Sequence, residues 1–362
     1  MLSSDDYERL AATLNKIPLG FPPVEDGTHL KLLKWIFTPK EAEIAGQMKL
    51  RGETAEELAS RLGRPLEGLR KLLEVMATKG EIRAWNSSTG RRYALLVFVG
   101  GIWENQLKRM DWGFAQLAED YFSKSRCRGL FDTEPALFRV IPVNRVVRPE
   151  LEVYPYEIAE SMIRSARSWG LRDCMCKKQK EAVGEPCRFP SSVCILINPN
   201  RENAYEGDSF TKAITKERAL EVLRHAEEAG LIHCSMNVQT GHSYICNCCT
   251  CCCLMLRSLV KWKQPHAFIK SNYIAQVDEE SCLGCGKCND RCQFSALSVP
   301  ETICEVDSNL CVGCGVCCIA CEEGALSLAS RYPEGRTTPP ASVQEWGIQK
   351  ASSRGVDPSD LL

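Results

Sequence analysis

Two cysteine runs constrain this chain more than any other feature: "CLGCGKCNDRC" at 282–292 and "CVGCGVCCIAC" at 311–321. Both read C-x2-C-x2-C-x3-C, and each cysteine of the second falls 29 residues after its counterpart in the first. The likeness continues past the cysteines, where "SAL" at 295–297 matches "GAL" at 324–326. This is an internal repeat. A C-x2-C-x2-C loop returns a sulfur at every third residue, so three thiolates can wrap three corners of a four-iron cubane. Gly284, Gly286, Gly313 and Gly315 allow backbone angles that side chains resist and leave amides free to face sulfur.

The repeat resembles the bacterial two-cluster ferredoxin. The resemblance implies that Cys282, Cys285, Cys288 and Cys321 hold one [4Fe–4S] cluster, and Cys311, Cys314, Cys317 and Cys292 the other. Each run lends its distal cysteine to the other half. Residues 273–330 form this ferredoxin-like domain, with "YIAQVD", "ALSV", "ICEVD" and "ALSLAS" as its short strands. The family carries proline after the fourth cysteine of each run, but here Gln293 and Glu322 stand there. Glu322 would add negative charge beside one cluster. Cys304 and Cys318 are extra and read as packing residues. The x3 step and the duplication favour cubanes over zinc.

With 22 cysteines in 362 residues, the compartment matters. The start, "MLSSDDYERL", is acidic and polar, unlike a secretory signal, and the apolar run "YALLVFVGGIW" is too short to span a bilayer. Thiolates held by metal in a reducing cytosol are therefore expected rather than disulfides. The 45 basic and 46 acidic residues give a net charge of -1, which argues against bulk electrostatic capture of nucleic acid but not against a local basic patch. No cysteine precedes Cys127 and none follows Cys321.

Residues 1–125 therefore read as a metal-free domain. Thr54 and Glu57 form a capping box before a helix that Gly63 ends, and Pro65 opens a second helix running to Gly80. "EIRAW", the turn "NSSTG" and "RRYALLVFV" then read as a β-hairpin. The pattern over Pro39–Val99 resembles a winged helix-turn-helix. That implies either DNA binding through Arg64, Arg70, Lys71, Arg91 and Arg92, or a docking scaffold. Glu67 and Glu74 on the same helix would face phosphates unfavourably, which favours docking.

Residues 126–272 read as a cysteine-rich α/β metal-binding domain. A connector covers 126–150, a helix runs from Pro155 to a stop at Gly170, and another follows Thr215 and ends at Gly230. Cys174, Cys176, Cys187 and Cys194 (C-x-C-x10-C-x6-C) could close one zinc site or one cubane. Lys177, Lys178, Lys180 and Arg188 nearby favour thiolate.

Then comes "YICNCCTCCCL", Tyr244–Leu254. Its C-x-C step repeats that of 174–176. If "CCCLMLRSLVKW" is helical, Cys251, Cys252 and Cys253 point about 100° apart and cannot share one metal. Cys246, Cys248, Cys249 and Cys252 are the candidate ligands, with the remaining thiols packed or reactive. The middle region is expected to hold one or two further iron–sulfur clusters, with zinc as the alternative. His233 and His242 read as packing residues. Over about residues 20–330 the arrangement resembles anaerobe-type 4Fe-4S dicluster-domain proteins, which implies electron transfer.

No G-x-G-x-x-G follows a strand, and there is no P-loop and no C-x3-C-x2-C run, so nicotinamide, ATP and radical chemistries lack their signatures. The tail, 331–362, is Pro- and Ser-rich, and "SVQEWGIQKA" within it could dock as a helix. The sequence thus predicts an α+β multidomain, cytoplasmic iron–sulfur protein. Its expected role is to pass single electrons between partner redox proteins, as a carrier or oxidoreductase subunit. Two rivals are a redox-sensing winged-helix DNA-binding regulator and a reductase whose middle cluster binds substrate.

Overall fold

A computed structural model describes residues 4–332 and 335–359. It is mixed α and β, with two compact units: 1–134 with 178–185 and 347–362, and 135–177 with 186–346. The first unit begins with α1 (Ser4–Lys16), α2 (Thr28–Ile36) and α3 (Pro39–Ala45). There follow β1 (Glu53–Thr54), α4 (Ala55–Leu62), α5 (Leu66–Thr78), β2 (Ile82–Ser87), β3 (Gly90–Leu95), α6 (Trp103–Asn105) and α7 (Trp112–Ser125). The capping box forms: Glu57 N–H donates to Thr54 Oγ1 at 3.2 Å and Thr54 N–H to Glu57 Oε2 at 2.8 Å. Gly63 ends α4 in the left-handed conformation. Leu69, Leu73 and Met76 bury one face of α5. The strands form a sheet of order β1-β3-β2, all antiparallel.

The hairpin is shorter than expected. Its second strand stops at Leu95 instead of continuing to Val99, because Phe98 and Val99 turn into the core and Gly100 takes φ 86°. Phe98 packs there with Phe21, Tyr121 and Phe122.

The second unit carries β4 (Phe138–Ile141), α8 (Ala159–Ser165), β5 (Ser168–Arg172), α9 (Met175–Ala182), β6 (Cys194–Asn198) and β7 (Lys212–Ile214). Of α9, residues 178–182 fall in the first unit. Next come α10 (Lys216–Ala229), β8 (Ile232–Met236), β9 (Tyr244–Cys248), α11 (Leu254–Trp262) and β10 (Phe268–Ile269). Their seven strands form one sheet, β10-β4-β8-β9-β6-β5-β7, antiparallel except for the β10–β4 pair.

The helix expected to end at Gly170 ends at Ser165, and Gly170 lies inside β5. A side chain there would come within 2.3 Å of Thr211 Cγ2, so this glycine serves close packing rather than a helix stop. The helix expected over the cysteine triplet also begins later, at Leu254.

The remainder of this unit is the repeat: β11 (Tyr273–Val277), α12 (Lys287–Arg291), β12 (Leu297–Ser298), β13 (Glu305–Val306), α13 (Val316–Ile319) and β14 (Leu326–Ser330). β11 pairs antiparallel with β14 and β12 with β13, which joins the two copies. In the tail, α14 (Val343–Arg354) forms where a short helix was expected.

Candidate metal centres

The two cysteine loops are built as the repeat requires. Gly284 and Gly313 adopt φ 62° and 70°. A Cβ at Gly284 would lie 2.2 Å from Thr302 O, and one at Gly313 would lie 2.0 Å from Tyr273 O. Only glycine fits either site.

Cys282, Cys285, Cys288 and Cys321 line one cavity of about 210 Å³, with Val299, Ala325 and Leu326 among its apolar walls. Cys304 N–H donates to Cys282 Sγ at 3.4 Å, and Ala296 N–H to Cys292 Sγ at 3.4 Å. Such bonds hold sulfur as acceptor and stabilise thiolate.

The other four cysteines also face one another. Burial pushes the Cys314 thiol well up, and Cys317, Cys311 and Cys292 push in the same direction. Four thiolates gathered without a cation resist ionisation, and a bound cation reverses that balance. Both sets fit [4Fe–4S] binding. Cys304 and Cys318 are buried beside them, with Cys304 Sγ 3.4 Å from Cys288 Sγ and Cys318 Sγ 4.0 Å from Cys317 Sγ.

The two departures from proline have partners. Lys287 Nζ lies 2.7 Å from a Glu322 carboxylate oxygen and holds that carboxyl below its ordinary range. Gln293 accepts from Thr250 N–H at 2.9 Å and donates to Gly230 O. It therefore ties the loop after Cys292 to the turn that carries Cys249, Cys251 and Cys252.

In the middle region, Cys187, Cys249, Cys251 and Cys252 bring their sulfurs within 4.8 Å of one another. Individual separations are 3.6 Å for 187–249, 3.8 Å for 187–251 and 3.5 Å for 251–252. A metal–sulfur bond of about 2.3 Å implies a tetrahedral edge of about 3.8 Å, so this spacing suits four thiolates on one ion. A cubane puts its thiolates on four different irons and spreads them wider.

The tetrad forms because Cys251 and Cys252 lie in the turn before α11, where they are not bound by helical spacing. S–H donation from Cys249 and Cys252 pushes the exposed Cys251 thiol down, while the Cys249 and Cys252 thiols are pushed up.

The remaining candidates collect elsewhere. Cys174, Cys176, Cys194, Cys246 and Cys248 join Cys253 and Cys234 in a chain of thiol contacts. Strand alternation divides the segment: Cys246 and Cys248 share one face of β9, while Ile245 and Asn247 point the other way. Cys249 and Cys252 pack with Ile245 in the hydrophobic core. His233 bonds Asn247 at 2.6 Å and Glu227 at 3.2 Å, and His242 bonds Ser235 at 2.8 Å, so neither joins a thiol group.

A family model described as 4Fe-4S binding domain matches residues 275–298, which contain the first cysteine run. Together with the tetrad, that match supports an iron–sulfur protein. No curated protein and no solved structure matches the chain.

Cys251 and Cys253 are expected from the sequence to pack or react rather than ligate, and no spacing singles out Cys234 or the partners of Gln293. For the first two, the available signal was the alternation of "YICNC", which places the strand before the triplet and leaves the triplet to a turn. Cys234 is register partner to Cys246, which only the sheet pairing reveals.

Proposed function

We propose that this chain is a multi-cluster iron–sulfur electron carrier of the cytoplasm. The observation that carries the reading is the cavity shared by Cys282, Cys285, Cys288 and Cys321, cysteines drawn from both halves of the repeat. A [4Fe–4S] cluster supplies one-electron chemistry when bound. Cys311, Cys314, Cys317 and Cys292 are the proposed ligands of a second. Val299, Ala325 and Leu326 exclude water, and the amides of Cys304 and Ala296 direct N–H dipoles at ligand sulfurs.

Leu283 is 70 % exposed between Cys282 and Gly284, and Cys285 is exposed. An apolar side chain at the edge of a cluster gives a redox partner protein a contact where the electron path is short. The Cys187 tetrad serves in this reading as a structural one-ion site, zinc or iron.

The helix–strand–helix–helix–hairpin order of the first unit supports a winged-helix-like docking element. Its cations are already engaged: Arg64 with Glu43, Arg70 with Glu56, Lys71 with Glu67, Arg91 with Glu74 and Arg92 with Glu57. A DNA reader presents such groups to phosphate.

The test is anaerobic purification of the full chain, with iron and sulfide counts and EPR after dithionite reduction. About eight irons in the repeat, four per cubane, with reducible one-electron signals, are expected. Zinc with no reducible iron would overturn the reading. Salt-dependent duplex binding, lost in a variant with Arg70→Ala and Lys71→Ala, would replace docking with DNA recognition.

A further inference from the structure

Outside the repeat and the tetrad, one group of thiols has no role in the proposal above. Its contacts close on themselves. Cys174 meets Cys176, Cys176 meets Cys253, Cys253 meets Cys248, Cys248 meets Cys246, and Cys246 meets Cys194. Cys194 in turn faces Cys174 electrostatically, and Cys234 joins the ring at Cys248.

The backbone fixes this arrangement. Cys234 on β8 is the register partner of Cys246 on β9. The β6–β9 register, Ile195 with Ile245, sets Cys194 beside Cys246. Three adjacent strands therefore place a thiol at one level on one face of the sheet. Cys174 lies two residues past Arg172, the partner of Cys194, and its N–H donates to Ser191 O at 2.8 Å. The period of two brings Cys248 to the same face, and the turn after β9 returns Cys253 to it.

A second observation comes from Lys177, whose side chain is buried. Its Nζ donates to Pro190 O at 2.6 Å and Asn247 O at 3.4 Å. Among the described residues, no carboxylate pairs with it. A buried ammonium is costly unless an anion faces it. The groups it faces electrostatically include Cys174 of the ring and Cys249 of the tetrad. Buried thiols alone would supply no such charge, whereas a thiolate-ligated metal cluster would.

We infer that the group of Cys174, Cys176, Cys194, Cys246, Cys248 and Cys253 holds a polynuclear iron–sulfur cluster, separate from the Cys187 tetrad, with Lys177 as a buried counter-charge that it shares with the tetrad. Six thiols exceed the four corners of one cubane. The ring either ligates a larger cluster or keeps two thiols beside a four-iron one. Soft thiolate sets of this kind select iron–sulfur clusters, zinc and copper(I). A thiol set spread wider than a single tetrahedron suits several metal ions rather than one, and the metal and sulfide counts separate iron from zinc and copper(I).

The test uses the full chain, purified without oxygen. In one variant Cys246→Ser and Cys253→Ser are combined, and in another Cys187→Ser and Cys251→Ser. Metal and sulfide counts are read with the EPR of the ferredoxin-like repeat, whose persistence reports folding. The ring variant is expected to lose about four irons and matching sulfide, while the tetrad variant keeps them. Unchanged iron in a ring variant that retains the EPR signals, or loss of zinc alone, overturns the inference.

A measurement on the unmutated protein does not depend on variant folding. Cys174, Cys176, Cys194 and Cys246 are half-buried. Mass spectrometry after brief iodoacetamide treatment should find them protected in iron-replete protein and alkylated once the iron is chelated. Rapid alkylation in the iron-replete protein also overturns the inference. Neither result bears on the repeat, so the electron-carrier reading fails or survives on its own signals.

Discussion

Gln293 gives the sharpest test of how the ferredoxin-like repeat is joined to the cysteine turn. Its side chain accepts from Thr250 N–H at 2.9 Å and donates to Gly230 O. Each such bond contributes about 0.5–1.5 kcal/mol net, so Gln293→Ala should cost about 1–3 kcal/mol. For a unit of this size that is a fall in Tm of about 2–12 °C. Gln293→Pro installs the residue that two-cluster ferredoxins carry at this place. Cys292 before it has φ -77° and ψ 111°, close to what a residue preceding proline accepts. The proline variant loses the same two bonds but regains about 0.4–1 kcal/mol by restricting the unfolded chain. It should therefore melt between Gln293→Ala and the unmutated protein. The assay is anaerobic thermal unfolding at a fixed scan rate, paired with the alkylation rate of exposed Cys251, which should rise in both variants. If Gln293→Ala stays within about 0.5 kcal/mol of the unmutated protein and Cys251 reacts at the same rate, the bridge has no energetic content.

Gly313→Ala places a methyl 2.0 Å from Tyr273 O at φ 70°, and the left-handed penalty alone is about 1–2 kcal/mol. Iron retention in the repeat after mild heating should fall, whereas Gly335→Ala, with open space around it, should be silent. Burial raises the Glu81 carboxyl from 4.5 to about 7. The folded state therefore holds a proton that the unfolded state releases, and the stability of the first unit should drop as pH rises from about 4.5 through about 7. Denaturant titrations across that range should show the slope, and Glu81→Gln should flatten it. Cys251→Ser removes the exposed ligand of the tetrad and should release one metal ion per chain, read by elemental analysis, while the iron of the repeat stays constant.

What the sequence disclosed was whatever depends on near neighbours. The capping box at Thr54 and Glu57, the left-handed stops at Gly63 and Gly230, and the strands of the repeat all lie where spacing puts them. Structure departs from local pattern where tertiary packing overrides it. Gly170 looks like a helix stop, yet it is a strand glycine under Thr211. The triplet 251–253 looks like the first turn of a helix because apolar residues follow it, yet the helix waits until Leu254. That difference of a few residues decides which thiols converge. Cys187 reaches Cys249 across 62 positions, and no local rule selects it over Cys174, Cys176 or Cys194.

The placement of cations adds an argument that the thiol groups themselves do not provide. Four thiolates around a divalent ion leave roughly two uncompensated negative charges, which must be answered nearby when solvent is excluded. In the second unit, Lys177 is held by Pro190 O and Asn247 O, and Lys270 by Ser308 O and Asn309 O. Arg331 is held by the carbonyls of Ser271, Ser308 and Cys311. Among the described residues, none of the three has a carboxylate within ion-pair distance. Lys177 acts on Cys174 and Cys249, Lys270 feels both Cys311 and, more weakly, the Asp307 carboxylate, and Arg331 binds the carbonyl of Cys311 itself. A carbonyl dipole orients a cation without cancelling its charge, whereas a carboxylate would cancel most of it. The field of these cations therefore remains available to the sulfur sites. It favours thiolate over thiol and, in any cluster bound there, favours the reduced form, because reduction adds negative charge.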